Sequence, residues 1–546
     1  MGVPGGDRDN VVPARSGDTF RSDPALAEAV WREAGPWAMD GCSALGEQCG
    51  DPDTIELGFA ANEHPPVHLV EDRSGRRADT VEYHPSWHSL LDLAAWHGLL
   101  GRPWTEDRPG AHAARAGRFI LLAQVEAGVT VPVSTTYASV PALRLEPELA
   151  AVWEPLVAAN GYDPRPVPAT TKQGALIGIA VTERTGGSDL SACTTAAEPA
   201  GGGRYELSGH KWLVSAPAAD AFFVTARAPG GLSCFFVPRI ADAGTVNGIR
   251  VDRLVDKLGN RSNATAEVTF DRAVGRIVGE EGRGVRALMT MAAGTRHDSV
   301  LGGAALLRLG VAEAIHHTRA RQAFGRPLAE HGAMTAVLAD LALEYEGAVA
   351  AALRLSRAVD EAAAGDGDAA AFRRIAVPIL TYWIGKRVPG HTAEALECLG
   401  GAGYLENGRL ARAYREAPRP ALWDGSGNVQ ALDVMRALRH EPGVVDALLG
   451  EVKLARGSHR ALDAAASALA DRLATGMPDE GQARPFAGLA ARTLCASLLV
   501  RFAPPAVGDA YCATRLGPRF TGAYGDLPSA VEADVIVDRA LPQSTF

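Results

Sequence analysis

An α+β fold, ordered as helical, antiparallel β, helical and helical segments, is predicted by three observations. Apolar residues recur at three and four from Pro24 to about Tyr162. Short β-branched or aromatic runs between glycine-rich breaks then fill about 166 to 276. After Gly284 the helical spacing returns and persists to about Arg439, and an Ala-rich helical stretch follows.

Each segment follows from its residues. Residues 1–22 are rich in Gly, Pro, Asp and Arg without apolar periodicity, and are expected to be a disordered or partner-bound arm. Over 23–165, HSLLDLAAWHGLL and RAGRFILLAQVEAG show the helical period. Over 166–276, LIGIAVTER, RYELSGHKWLVS, DAFFVTAR, LSCFFVPR and ATAEVTF read as strands. Pro229-Gly230-Gly231 and Gly201-Gly202-Gly203 are the expected hairpin connections between them. The next helical domain, 277–440, is broken at Phe324-Gly-Arg-Pro327, at Gly365-Asp-Gly367 and in the loop containing Asp424. The last domain, 445–546, runs helical to Ala503, then Pro504-Pro505 and a mixed tail. There is no internal repeat and no heptad pattern.

Bulk properties exclude several function classes. A chain of 546 residues with 47% hydrophobic residues exceeds what one core supports. The net charge of −10 gives no global field for nucleic acid or an anionic membrane. Only five of the 54 basic residues are lysines, an arginine bias that carries no catalytic message. No Cys-x-x-Cys pair occurs, no apolar run approaches the ~20 residues that cross a bilayer, and the N-terminus lacks a secretory core. A cytoplasmic protein without a membrane partner is expected. His84 and His88 have the four-residue spacing of metal ligands, but Pro85 and Trp87 between them favour a helix start with packed aromatics, so no metal is expected. There is no Gly-x-Gly-x-x-Gly after a strand and no Walker motif.

Two separated strings carry chemistry. VTERTGGSD (181–189) places the hydroxyls of Thr182, Thr185 and Ser188 beside Gly186 and Gly187; LWDGSGN (422–428) places Asp424 among Trp423, Gly425, Ser426 and Asn428. The first, alone, describes an ordinary β-turn, and Trp212 alone describes a core aromatic. With GHKWLVS (209–215), RQAFG (321–325) and CLGGAGY (398–404) in that order, the set resembles the acyl-CoA dehydrogenase flavoproteins. YHPSWH (83–88), QVEAG (124–128), GGLSCFFVPR (230–239) and DKLGNRSNA (256–264) narrow the resemblance to the AidB branch, which carries an extra C-terminal domain.

The resemblance implies the acyl-CoA dehydrogenase fold and an FAD held in two half-sites. Thr182, Thr185, Gly187 and Ser188 would offer donors to the N1/C2=O edge of the flavin, and Trp212 and Ser215 would stack beside it and reach N5. Arg321 and Phe324 would meet the diphosphate and adenine of a neighbouring subunit's FAD, which implies a homotetramer or dimer. Gly400 and Gly401 would let the dinucleotide approach, and Trp423, Gly425, Ser426 and Asn428 would complete its contacts.

In the family a glutamate in this loop removes an α-proton while a hydride leaves for N5; here the position is Asp424. Its side chain is one methylene shorter, a set-back of ~1.5 Å, enough to cost roughly 100-fold in rate on an unchanged backbone. The family's second base position is filled by Thr295, which leaves Asp424 as base and Arg296 as a group that orients acid or substrate. The other reading of Asp424 is a helix N-cap. Nitroalkane oxidases, which are related, use an aspartate here.

The expected function is therefore FAD-dependent α,β-dehydrogenation of an acyl thioester. The alternatives are flavin-dependent oxidation of a small CoA-free metabolite, nitrogen-containing or carrier-tethered, and a DNA-associated AidB-like protective protein. Residues 445–546 hold 10 Arg plus Lys against 11 Asp plus Glu, so their net charge is −1 and nucleic acid is not an expected partner; Arg515 with Arg519 is an example of a local cluster that would form a basic patch.

Overall fold

The computed structural model describes residues 10–476, 479–518 and 520–542. The chain divides into two compact units: the first joins residues 1–52 to 299–546, and the second is the contiguous stretch 53–298.

The first unit opens with the segment expected to be an arm. Residues 1–9 lie outside the described residues. From Asn10 onward the segment is held by its own unit: the imidazole Nε2 of His316 lies 2.8 Å from the carbonyl of Pro13, Arg15 pairs with Glu313 at 3.0 Å, and Thr19 donates to the carbonyl of Gly46. Polar composition hid this docking, because beside one buried aromatic, Phe20, its contacts are polar, to backbone carbonyls and a buried carboxylate. Helices α1 (Pro24–Ala34) and α2 (Met39–Cys49) follow. The Asp23 carboxylate accepts from the Leu26 amide at 3.2 Å, Pro24 supplies the first-turn φ, and Gly35 at φ 94 ends α1.

The second unit begins with α3 (Pro52–Glu63) and a hairpin, β1 (Val67–Glu71) and β2 (Arg77–Glu82), inside the region expected to be all helical. Both strands are largely exposed, so no apolar alternation marks them in the sequence. Helices α4 (Pro85–Trp96), α5 (Ala111–Val125), α6 (Thr130–Leu143) and α7 (Pro147–Val157) complete the helical part. Then come β3 (Ile177–Ala180), β4 (Ala196–Gly201), β5 (Arg204–Ser215), β6 (Ala221–Ala228), β7 (Gly231–Pro238), β8 (Ile249–Leu254) and β9 (Thr265–Val278). Pairing runs β3-β6-β4-β5-β9-β7, and β7 returns to β6, so five of the strands close a ring with β3 and β8 appended. Most pairs are antiparallel as expected, but β3 and β4 each run parallel to β6.

The turns follow the glycines. Gly202 and Gly203, at φ 59 and 73, connect β4 to β5, and a chain with two positive φ values in a row matches the twist of the strands it joins. Pro229-Gly230 connects β6 to β7, where Ala228 faces Gly231. The core of this unit sets Trp153 of α7 edge-on to Phe236 of β7, which meets Phe223 of β6 in the same way.

Helix α8 (Gly284–Ala320) contains the boundary between the units. Within the second unit its Asp298 receives a bidentate pair of hydrogen bonds, both 2.7 Å, from Arg115 of α5. The Arg115 guanidinium also lies 3.6 Å from the ring centre of Tyr137.

The first unit resumes with α9 (Gly332–Ala363), α10 (Gly367–Glu397), α11 (Arg409–Glu416), α12 (Gly427–His440), α13 (Val444–Lys453), α14 (Arg460–Ala474), α15 (Ala483–Phe502), α16 (Pro505–Arg515) and α17 (Ala533–Ala540). An apolar core shared by α10, α12, α13 and α15 is built on Ile375, Val434, Leu448 and Phe486. Buried Arg308 of α8 pairs with Asp23 at 3.0 Å and donates to the carbonyls of Ser22 and Ala540, tying both ends of the chain to one guanidinium. Arg515 is also buried and paired with Asp340 and Glu344, and Arg519 lies outside the described residues. Against the expectation from apolar runs, two helices, 284–320 and 480–502, are long and apolar enough to cross a membrane; 89% and 67% of their apolar windows are buried inside the protein, as in core helices.

Candidate active site in two halves

The first half-site lies on the second unit, where β3 ends and β5 runs past it. The Trp212 amide donates to the Thr182 carbonyl at 2.8 Å. A Cβ on Gly187 would come within 3.1 Å of the Thr182 methyl, so the turn packs against Thr182 through a residue without a side chain. Thr185 donates to the Ala192 carbonyl at 3.0 Å, and Ser188 is exposed.

A bulge in β5 sets the pose of Trp212. Lys211 faces Val268 and Val214 faces Ala266, so β5 spends three steps where β9 spends two. Leu213 takes the extra step at φ 61, and Trp212 at 36% exposure stands on the surface of the barrel rather than in its core. Ser215, on the resumed ladder opposite Thr265, is half-buried. The turn hydroxyls and the exposed indole thus lie where the chain leaves β3 and runs past β5, joined by the Trp212 amide to Thr182 carbonyl hydrogen bond.

Beneath this surface lies a network that motif reading missed. Glu183, between Thr182 and Arg184, points inward and pairs with Lys211 at 2.6 Å; both side chains are nearly inaccessible. Its two oxygens also accept from the amides and hydroxyls of Thr194 and Thr195 and from the Cys193 thiol. The burial opposes ionisation, but the Lys211 ammonium and the threonine donors outweigh it and hold the carboxyl well below the usual range. This network anchors the chain on both sides of the turn that carries Thr185, Gly187 and Ser188. Lysine and glutamate inside LIGIAVTER and RYELSGHKWLVS were the available signal, since unpaired charges do not persist in a barrel wall.

Also in the second unit, Arg296 is 8% exposed on α8, and Thr295 beside it returns its hydroxyl to the carbonyls of Met291 and Ala292. Thr295 spends its side chain on the helix.

The second half-site is carried by the first unit. Asp424 is half-buried and adopts φ 52, left-handed backbone that aspartate tolerates better than glutamate. Gln430 of α12 donates to the carbonyls of Asp424 at 3.1 Å and Gly425 at 3.3 Å, fixing the loop. The N-cap of α12 is Ser426, so Asp424 does not cap this helix. Trp423 stacks near the Arg419 guanidinium, while Ser426 and Asn428 face outward. Gly400, at φ 57, and Gly401 are exposed, and a Cβ on either would meet nothing within 4 Å among the described residues. Arg321 donates to the Asn10 carbonyl, so the docked N-terminal segment already engages its guanidinium. Phe324 is 94% exposed at φ 53, with His331 edge-on to it.

Donor-rich turn, exposed indole and open glycines, on a helical–barrel–helical scaffold, are the attributes of an oxidoreductase of the acyl-CoA dehydrogenase type. Residues 10–164 match the AidB (adaptive response protein) N-terminal domain, 178–273 the acyl-CoA dehydrogenase middle domain, and 282–439 its C-terminal domain. The chain is 41% identical over 510 residues to the putative acyl-CoA dehydrogenase AidB of Escherichia coli K12, covering 93% of this chain and 94% of that protein. It is 27% identical to acyl-CoA dehydrogenase family member 11 of Caenorhabditis elegans over 463 residues, covering 80% and 74%. Among solved structures, Bd2924 in its apo form superposes with a TM-score of 0.84 at 26% identity, covering 90% of this chain and 100% of that one. Caenorhabditis elegans ACDH-11 in complex with C11-CoA superposes at 0.83 and 23% identity, covering 100% and 94%, a likeness of fold. This chain belongs to the acyl-CoA dehydrogenase family, in its AidB branch.

Proposed function

We propose that this protein uses bound FAD to oxidise an acyl thioester, with Asp424 as the base. FAD, when bound, supplies a hydride acceptor. Thr182 and Ser188 orient its ring edge, Thr185, whose hydroxyl is committed to the Ala192 carbonyl, holds the turn, Trp212 limits access to one face, and Gly400 and Gly401 admit its dinucleotide part. Asp424 takes the proton, and its clamped carbonyl keeps the short carboxylate from relaxing away from the substrate. Arg296 orients the substrate or the acid. The observation that supports the reading is the left-handed, Gln430-clamped backbone of Asp424, the residue to which the resemblance assigns the base.

The same observation favours a second reading, oxidation of a small CoA-free metabolite, because an acid one methylene short suits a substrate that sits deeper. A cytoplasmic homotetramer or dimer belongs to the same proposal, supported by the exposed aromatic Phe324 of the string that would meet a neighbour's cofactor. Light scattering should give a mass of at least twice 57.1 kDa; a monomer at micromolar concentration removes the shared-cofactor part.

The deciding experiment is anaerobic bleaching of the purified flavoprotein against short acyl-CoAs and a panel of nitro, hydrazine and amine compounds. Bleaching by an acyl-CoA supports the dehydrogenase, and bleaching by CoA-free compounds alone supports the second reading. Asp424→Asn is expected to keep its flavin and lose substrate-driven bleaching by at least ~100-fold; retained bleaching takes Asp424 out of the reaction.

A further inference from the structure

Cys193 is drawn into the Glu183 network by more than packing. Its Sγ lies 3.1 Å from Glu183 Oε1 and 3.7 Å from Lys211 Nζ, and the Lys211 ammonium touches the same Oε1 at 2.6 Å. Thr225 Oγ1 accepts from Lys211 at 3.2 Å and holds the amine in place. Cys193 is 7% exposed and Lys211 0%, so bulky or charged reagents are shut out while a small apolar oxidant is not. Burial keeps the thiol above its ordinary value, so the sulfur enters any reaction as S–H with its proton aimed at Glu183. No step proposed above uses Cys193.

We propose that Cys193 and Lys211 form a redox-reversible covalent modification site, closing an Nζ–O–Sγ bridge in the presence of dioxygen. A carboxylate, a thiol and an amine that share one oxygen atom supply the acceptor, the sulfur and the nitrogen that the bridge requires. The 3.7 Å separation favours an intervening atom, because a direct S–N bond would require the pair to close to less than half that distance. The step balances. Lys211 first passes its extra proton to Glu183. The S–H bond and one N–H bond then break, and S–O and N–O bonds form to one atom of dioxygen. The other oxygen leaves as water with the two released hydrogens. Sulfur and nitrogen each give up two electrons, and the four reduce both oxygens. A thiol reductant reverses the bridge by reducing the S–O and N–O bonds.

The bridge would cancel the charge on Lys211 that holds Glu183 ionised. Glu183 anchors residues 194 and 195 as well as its own strand end, so the state of the bridge would be felt in the turn bearing Thr185, Gly187 and Ser188. Oxidation would thereby reach the half-site without touching any residue assigned to the cofactor.

Peptide mass mapping of the full-length holoprotein decides the matter. Trypsin should release 185–204, with Cys193, separately from 205–211, which ends at Lys211. In air-exposed protein, 185–204 is expected joined to 205–227, uncut at Lys211 and heavier than the two peptides by one oxygen less two hydrogens. Dithiothreitol should return the separate peptides, and denatured protein should then show seven titratable thiols where the bridged form shows six. Cys193→Ser, which keeps a hydroxyl donor to Glu183, should abolish the joined species. Free peptides after prolonged exposure to air overturn the proposal. So does a joined species lacking the oxygen, or oxygen carried by Cys193 alone.

Discussion

At the scale of single residues, the structure depends on conformations that only some side chains tolerate. Leu213 absorbs the β5 bulge at positive φ, a position at which an L-residue carries roughly 1–2 kcal/mol of strain. Leu213→Gly should not lower the thermal midpoint, because the strain it relieves offsets glycine's backbone entropy of ~0.5–1 kcal/mol, whereas the β-branched Leu213→Val should lower it by the equivalent of at least ~1 kcal/mol; a neutral valine would mean that the bulge relaxes freely. The Glu183–Lys211 pair weighs more heavily on stability. Removing one partner of a buried pair strands the other charge, so Lys211→Met should cost about 3–5 kcal/mol, read as a urea midpoint shift. Because Glu183 is ionised more readily folded than unfolded, its contribution is present above the ordinary carboxylate range and fades as pH falls below it. The two charges inside the strand strings were legible in the sequence, but their pairing was not. Glu183 and Lys211 are 28 residues apart, and alternation along two strands says which face each occupies but not which partner it meets.

At the scale of elements, strands and turns were legible where glycine or proline forces the backbone, as at Gly202-Gly203 and Pro229-Gly230. The β1–β2 hairpin was not, because both of its faces are wet and pattern reading needs one dry face. The candidate site divides the same way: loop positions such as Gly187 and Asp424 were named from their strings, while Gln430, which clamps Asp424, looked like any helix glutamine. Helix α10 carries a testable pH response. His391 is fully buried against Gly310 of α8, its Nε2 donates to the Leu341 carbonyl at 3.2 Å, and its Nδ1 has no hydrogen-bond partner among the described residues. Burial lowers its pKa to about 4, with Glu344, Arg387 and Arg515 the charged groups around it. The unfolded chain therefore takes up this proton first as pH falls below ~6.5, and stability drops by up to about 3 kcal/mol by pH ~4. The Tm of the wild type should fall across that window, and His391→Asn should flatten the slope; an identical slope in the variant assigns it to other groups.

At the scale of the whole molecule, charge is the ground for expecting no nucleic-acid partner. The net charge is −10, and the basic residue of the C-terminal segment that best resembled part of a patch, Arg515, is buried between Asp340 and Glu344. Retention on duplex DNA at ~0.15 M salt should be negligible, and a steep salt-dependent affinity there would overturn that expectation. The link made by Arg308, which holds Ser22 and Ala540 at once, bears on how the chain is born. A ribosome delivers residues 53–298 as one uninterrupted stretch, able to gather as it emerges. The first 52 residues leave the tunnel earlier, yet the guanidinium that completes them and the helix end that completes that guanidinium arrive hundreds of residues later. The opening helices must wait through nearly the whole of synthesis, so a nascent chain stalled before residue 540 should hold a finished insert flanked by an unfinished host.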